Sequence, residues 1–236
     1  MSPRARPARL ALLIATPLAG VAIAHADVGG TLSLQTDARE RGLSYSAQRP
    51  SAQLGLAWDG AGGWYAGAQL GHARFTQREG ATLQLYAGRV VAWRPGIDAE
   101  AGVIARLFEN VAHYDYQEAY VGLVGSGWTL RLYASPDFYG IGQRSLYTEL
   151  DGRWPLAPGL AAIGHVGLMR GWGRGNAAYA NSHGASRWDT RLGLSWQLGA
   201  SSELQLAWVA VGRGGPYTWT DTPRRRSAMI NLTTAF

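Results

Sequence analysis

The sequence predicts an all-β protein: an antiparallel up-and-down transmembrane β-barrel of about twelve strands. Three observations carry that prediction. Runs of about ten residues alternate apolar and polar side chains, and a period of two sends them to opposite faces of a sheet. The links between runs alternate between tight and long, as in a barrel with short turns at one rim and longer loops at the other. Charges keep to one face of each run while the other carries Leu, Val, Ala and Trp. A soluble sandwich with one wet face would share the alternation but not the rhythm of the links.

The first segment stands apart from the strands. Arg4, Arg6 and Arg9 precede an apolar stretch, Leu10 to Ile23, which leads to Ala24-His25-Ala26. This is the pattern of a secretory signal peptide with a small-x-small cleavage site. The stretch is too short, and too interrupted by Thr16, Pro17 and Gly20, to span a membrane comfortably. The expected organisation is a cleaved leader over 1–26 and one barrel domain over 27–236. With no cysteine, an exported chain has no disulfide to hold it, so a closed barrel must supply the stability. The formal charge of +6 loses three positive charges with the leader, and no basic helix or nucleic-acid motif is present, so nucleic acid is not an expected partner. All 22 basic residues are arginine, a feature of composition. The 32 glycines and 11% aromatic content suit tight corners and interfacial aromatic belts.

Strands are expected near 30–38, 50–59, 63–75, 81–93, 97–109, 115–124, 127–136, 143–153, 158–170, 186–198, 202–212 and 226–236. The alternation is strict in several. Trp188, Thr190, Leu192, Leu194, Trp196 and Leu198 oppose Arg187, Asp189, Arg191, Gly193, Ser195 and Gln197. Leu130, Leu132 and Ala134 oppose Arg131, Tyr133 and Ser135. Tight turns are expected at Asp59 to Gly62, Arg94 to Gly96, Gly125-Ser126, Trp154 to Pro158 and Gly199 to Ser201. Longer polar links are expected over 39–49, 110–115, 171–185 and 213–225. An even strand count places both termini at one rim. Two features fit awkwardly. Arg89 shares the apolar face of its run, which calls for an interfacial position or a nearby bulge. His165 shares an inward face with Ala161, Ile163, Gly167 and Met169, an unusually apolar wall.

Two stretches carry a resemblance to a known family. One is Arg41-Gly42-Leu43-Ser44, then Arg49-Pro50-Ser51-Ala52-Gln53-Leu54-Gly55-Leu56 and Gly63-Trp64-Tyr65-Ala66-Gly67. The other is Ser145-Leu146-Tyr147-Thr148-Glu149-Leu150-Asp151, then a turn at Pro155 and Gly164-His165-Val166-Gly167. Together they resemble the TorF family of proteobacterial outer-membrane proteins regarded as porins. The resemblance implies an outer-membrane barrel with a pore and brings no substrate or site residue with it. The last ten residues, Ser227 to Phe236, look like the terminal strand of a bacterial outer-membrane barrel, whose final aromatic is read by the barrel-assembly machinery. Phe236 is therefore the expected assembly signal, and the location the outer membrane of a Gram-negative cell. Ala228, Ile230, Leu232, Thr234 and Phe236 are expected to face lipid, with Ser227, Asn231 and Thr233 facing the lumen.

The candidate pore-lining residues are Arg39, Glu100, Arg106, Glu118, Arg131, Glu149, Asp151, Asp189, Arg191 and Glu203, joined on the same faces by Asp37 and Arg153. On the lipid side such charges would cost several kcal/mol near the midplane, so they mark the inside. One reading is a channel for passive diffusion of small hydrophilic solutes or ions, in which opposed charges set ion preference. The other is a barrel shut by Arg–carboxylate pairs, displaying loops for adhesion or binding. Small lumen residues such as Gly55, Gly122 and Gly193 favour the open form. A lipid-directed hydrolase is the enzyme alternative, but His72, His113, His165 and His183 show no spacing to a nucleophile, so no activity is expected. His113 with Asp115 lacks further ligands and cysteine is absent, so neither metal nor cofactor is expected. Arg224-Arg225-Arg226 opens the last strand near headgroup level, where guanidinium groups match the phosphates of lipopolysaccharide. Lipids, lipopolysaccharide, the assembly machinery and small solutes or ions are thus the expected partners.

Overall fold

A computed structural model describes residues 12–13, 16–17, 27–75, 78–111, 114–173, 185–216 and 224–236. Alternating side chains over the expected runs produce twelve strands in one meander: β1 (Asp27–Gln35), β2 (Ser51–Asp59), β3 (Trp64–Phe75), β4 (Arg78–Arg94), β5 (Ile97–Phe108) and β6 (Tyr116–Gly125). They continue as β7 (Trp128–Ser135), β8 (Arg144–Ala157), β9 (Leu160–Trp172), β10 (Ser186–Leu198), β11 (Ser202–Val211) and β12 (Arg226–Ala235). Each pairs antiparallel with its neighbours in sequence, and β12 returns to β1 to close the barrel. Closure leaves no strand without a neighbour on each side, as a sheet lying in lipid requires. The expected leader lies outside the described residues except Leu12–Leu13 and Thr16–Pro17, which pair with each other and not with the barrel.

The faces are inverted relative to a water-soluble sheet. On β7, Leu130, Leu132 and Ala134 are exposed while Thr129, Arg131, Tyr133 and Ser135 are buried. On β12, Ala228 and Ile230 are exposed while Met229, Asn231 and Thr233 are buried. Leucines and valines continue this outer belt around the barrel, far beyond the apolar patch a soluble monomer exposes. Tryptophans edge the belt at both rims. Trp58, Trp64, Trp93, Trp154 and Trp196 are exposed beside the short turns, and Trp172, Trp188 and Trp208 are exposed towards the long links. Such girdles mark the two interfaces of a membrane-spanning barrel.

Both awkward features are resolved by position. Arg89 is exposed at the short-turn rim, where its Nε donates to the Gly62 carbonyl at 3.0 Å and its guanidinium lies 5.3 Å from the Trp64 ring. A register shift between Ala92 and Arg94 follows it. His165 does face inward, among polar partners on the adjacent strands. The expected turn at Trp154 to Pro158 is corrected. β8 continues through Pro155 to Ala157, with a register shift between them, and the turn is Pro158-Gly159. Proline lacks the N–H of a regular ladder position and is accommodated at such an irregularity.

The closing seam is short: β12 meets β1 over five register pairs, against nine between β1 and β2. Phe236 extends it. Its N–H donates to the Gly30 carbonyl at 3.0 Å and its carbonyl accepts from Gly30 N–H at 2.9 Å. The Phe236 ring lies against Gly30, where any Cβ would collide with it. Inside, Ser33 and Thr233 hydroxyls join at 2.9 Å.

Candidate functional site

The link between β1 and β2 is the main departure from expectation. Residues 37–46 turn into the lumen instead of forming an outer loop. Arg39–Glu40 pairs with Leu43–Ser44, and Arg41-Gly42 forms the turn, with φ of 48° and 76°. Two successive positive φ values are the mark of a I′ hairpin turn. Gly42 is also needed for space, because a Cβ there would lie 2.7 Å from Asp189 Cβ and 2.8 Å from Val211 Cβ. Asp37 organises the base of this inner hairpin, accepting hydrogen bonds from Ser44 Oγ at 2.5 Å, Ser46 Oγ at 3.0 Å and Arg39 Nε at 2.6 Å. Ala38, Leu43 and Tyr45 are buried beneath it.

Two ion pairs fix the hairpin to the wall. Arg41 meets Glu118 of β6 in a bidentate pair at 2.8 and 2.6 Å, and its guanidinium lies 4.3 Å from the Tyr147 ring. Burial alone would lower the Arg41 pKa, but Glu118, Tyr116 and Glu40 together outweigh it and hold the group charged, well above the ordinary value. Glu40 accepts from Arg106 of β5 at 2.6 Å. An aromatic cluster fills the space on one side. Tyr116 packs against Tyr139 and Phe138 with centroids 4.6 and 4.9 Å apart, and Phe108 lies 6.1 Å from Tyr45. Phe138 and Tyr139 come from the link between β7 and β8, which also folds inward, and Tyr139 shares a hydroxyl hydrogen bond with Tyr45. Burial pushes both of those phenols above their ordinary pKa.

The walls carry further charge pairs. Glu100 of β5 pairs with Arg131 of β7 across Gly122 of β6, with Arg131 Nη2 donating to Oε2 at 3.0 Å. A Cβ on Gly122 would meet the Glu100 carboxylate at 2.7 Å. This glycine is therefore covered by the ion pair, which corrects its reading as open lumen. Tyr65 donates to the same carboxylate at 3.2 Å. Near the short-turn rim Arg153 pairs with Glu203 at 2.8 Å.

Across β8, β9 and β10 the register sets two adjacent rows: Glu149, Gly167, Asp189 and Asp151, His165, Arg191. His165 Nδ1 lies 2.9 Å from Asp151, and its Nε2 lies 2.9 Å from Asp189 and 3.1 Å from Tyr147 Oη. Tyr133 donates to Glu149 at 2.7 Å. Arg191 lies 3.8 Å from Asp151. This wall and the inner hairpin enclose one solvent-open cavity; Arg39, Glu40, Gln53, Gln69 and Arg106 line a second on the hairpin's other side.

All ten expected pore-lining residues lie inside the barrel, with Arg39 delivered by the hairpin instead of a strand. Sequence reading did not assign Glu40, Arg41 or the inward tyrosines a site role. The one available signal was the Arg-Gly pair flanked by Asp37, Ser44 and Ser46. At the long-link rim, Arg224 and Arg226 are exposed, while Arg225 donates to the Gly212 carbonyl at 2.9 Å. His113, His183, and residues 174–184 and 217–223 of the long links lie outside the described residues. Among the described residues, the hydrogen-bond partners of His165 are Tyr147, Asp151 and Asp189, none of them a serine.

The chain is similar to solved porins. One, described as "KdgM porin", matches at 11% identity with a TM-score of 0.53, covering 89% of this chain and 98% of its own. A second, the NanC porin, matches at 10% identity with a TM-score of 0.57, covering 88% and 99%. At such identities the likeness shows the fold. No curated protein matches the sequence. A family model described as "Bacterial protein of unknown function (Gcw_chp)" matches residues 20–233.

Proposed function

The chain belongs to this Gcw_chp family, and we propose that it is an outer-membrane channel for passive diffusion of small hydrophilic solutes or ions, with the inner hairpin as its constriction. The observation that carries the reading is the distribution of charge. Arginine and carboxylate pairs line the inside, the outside is apolar, and solvent-open cavities flank the hairpin on both sides. Opposed charges across these cavities set a transverse field, which suits polar solutes and ions over apolar ones. The resemblance to the TorF family and the fold shared with porins support the same assignment. In this reading the short turns and both termini face the periplasm and the long links face outward.

The test is planar-bilayer recording of the purified protein. Discrete conductance steps are expected, and Arg191→Gln should shift the reversal potential in a salt gradient towards cation selectivity. Absence of steps, or an unchanged reversal potential, would count against the assignment. A second reading, a closed barrel that displays its loops for adhesion, is favoured by the buried Arg41–Glu118 pair and the aromatic cluster. The two diverge on conductance alone.

At the outer rim, Arg224 and Arg226 are proposed to hold lipopolysaccharide phosphates, since guanidinium forks match phosphate geometry. Changing both to Gln should reduce the lipopolysaccharide that copurifies with the barrel; an unchanged amount would exclude the contact.

A further inference from the structure

The row formed by Glu149, Gly167 and Asp189 brings two carboxylate-bearing residues to either side of a position with no side chain. In the next row Asp151 and His165 are direct cross-strand partners. Ligand atoms of Glu149, Asp151 and His165 all lie within 4.8 Å of one another. Three carboxylates thus converge on one imidazole. Of the nearby cations, Arg41 bonds Glu118 and Arg131 bonds Glu100, while Arg191 pairs with Asp151 itself at 3.8 Å. These same residues form the wall of a solvent-open cavity, so an ion in the lumen can reach them.

The donor set is specific in kind. One imidazole nitrogen with two carboxylates is a three-ligand N/O set, which suits borderline divalent ions such as zinc and leaves a position open to solvent. The outer contact is present as well: His165 Nε2 faces Asp189 at 2.9 Å, the carboxylate–histidine arrangement that fixes the ring of a metal ligand. We propose that Glu149, Asp151 and His165 form a lumen site for a divalent transition-metal ion, with Asp189 orienting the imidazole through Nε2–H. Without the ion, Nδ1 donates to Asp151. When the ion binds, the Nδ1 proton passes to solvent, Nδ1 and the two carboxylates coordinate the ion, and Nε2–H stays on Asp189. Affinity therefore falls as pH is lowered.

The site is independent of conductance, because a shut barrel would also carry it. Zinc chloride titrated calorimetrically into the detergent-purified full-length barrel should bind with one ion per chain. His165→Gln, Glu149→Gln and Asp151→Asn should each abolish this binding, and Asp189→Asn should weaken it about 10- to 100-fold. His72→Gln, at a separate histidine near Glu79, should leave it intact. Heat-modifiable gel migration confirms that each variant is folded. Zinc binding that survives His165→Gln, that is lost in His72→Gln, or that is absent from the folded wild-type barrel would overturn the proposal.

Discussion

Glu118→Ala should release the inner hairpin from the lumen and raise the unit conductance severalfold. The carboxylate it removes is the bidentate partner of Arg41, at 2.8 and 2.6 Å, and both side chains are buried. Removing one member of such a pair leaves a desolvated charge uncompensated, at a cost of about 3–5 kcal/mol. The hairpin can relieve that cost by swinging Arg41 into solvent. The attachments that remain include the Glu40–Arg106 pair, the Arg39 bond to the Arg224 carbonyl, the Tyr45–Tyr139 hydroxyl bond and the buried side chains of Leu43 and Tyr45. Glu118→Gln keeps an acceptor for one guanidinium N–H and should give a smaller increase. The measurement is single-channel conductance together with hydrogen exchange at the amides of 39–48, which should lose protection in Glu118→Ala. Unchanged conductance with unchanged exchange would show that the hairpin is held by other contacts.

Deleting Phe236 should cut the assembled barrel in the outer membrane to a small fraction of wild type. The deletion removes both backbone hydrogen bonds to Gly30 and the ring that covers it. It acts on the shortest strand pairing in the barrel, five register pairs long, and leaves a freer edge where β1 and β12 must find each other. Heat-modifiable migration of membrane fractions reports the assembled amount. Gly30→Val separates the ring packing from the chain length of the seam, because it displaces the ring while leaving Phe236 in place, at roughly 1–3 kcal/mol of overpacking. The few Phe236-deleted barrels that assemble should conduct normally. Normal amounts of that deletion in the outer membrane would contradict this account of closure.

The strands were legible because lipid on one side and a polar interior on the other impose a strict period of two. Leu130, Arg131, Leu132 and Tyr133 announce their faces without any knowledge of their neighbours. The inner hairpin was not legible in that way. Its residues obey no period, and a polar loop reads the same whether it meets water or the charges of a lumen wall. Arg41 and Glu118 are 77 positions apart, so their pairing exists only once β6 is placed across from the first link. Gly122 misled for a related reason: its missing side chain makes room for the Glu100–Arg131 pair and opens no space. The link carrying Phe138 and Tyr139 drew no attention as a functional element, yet its rings help fill the lumen. The Arg41-Gly42 and Ser145 to Asp151 stretches that carry the TorF resemblance supply the hairpin tip and the Tyr147, Glu149 and Asp151 wall.

The central claim is that the barrel conducts through a lumen narrowed by its own first link. Planar-bilayer recordings of the purified wild type beside a variant with residues 39–44 replaced by a short Gly-Ser turn test it most directly. Discrete steps in both, with markedly larger steps in the variant, are the predicted result. No steps in either folded protein, or equal steps in the two, would contradict it.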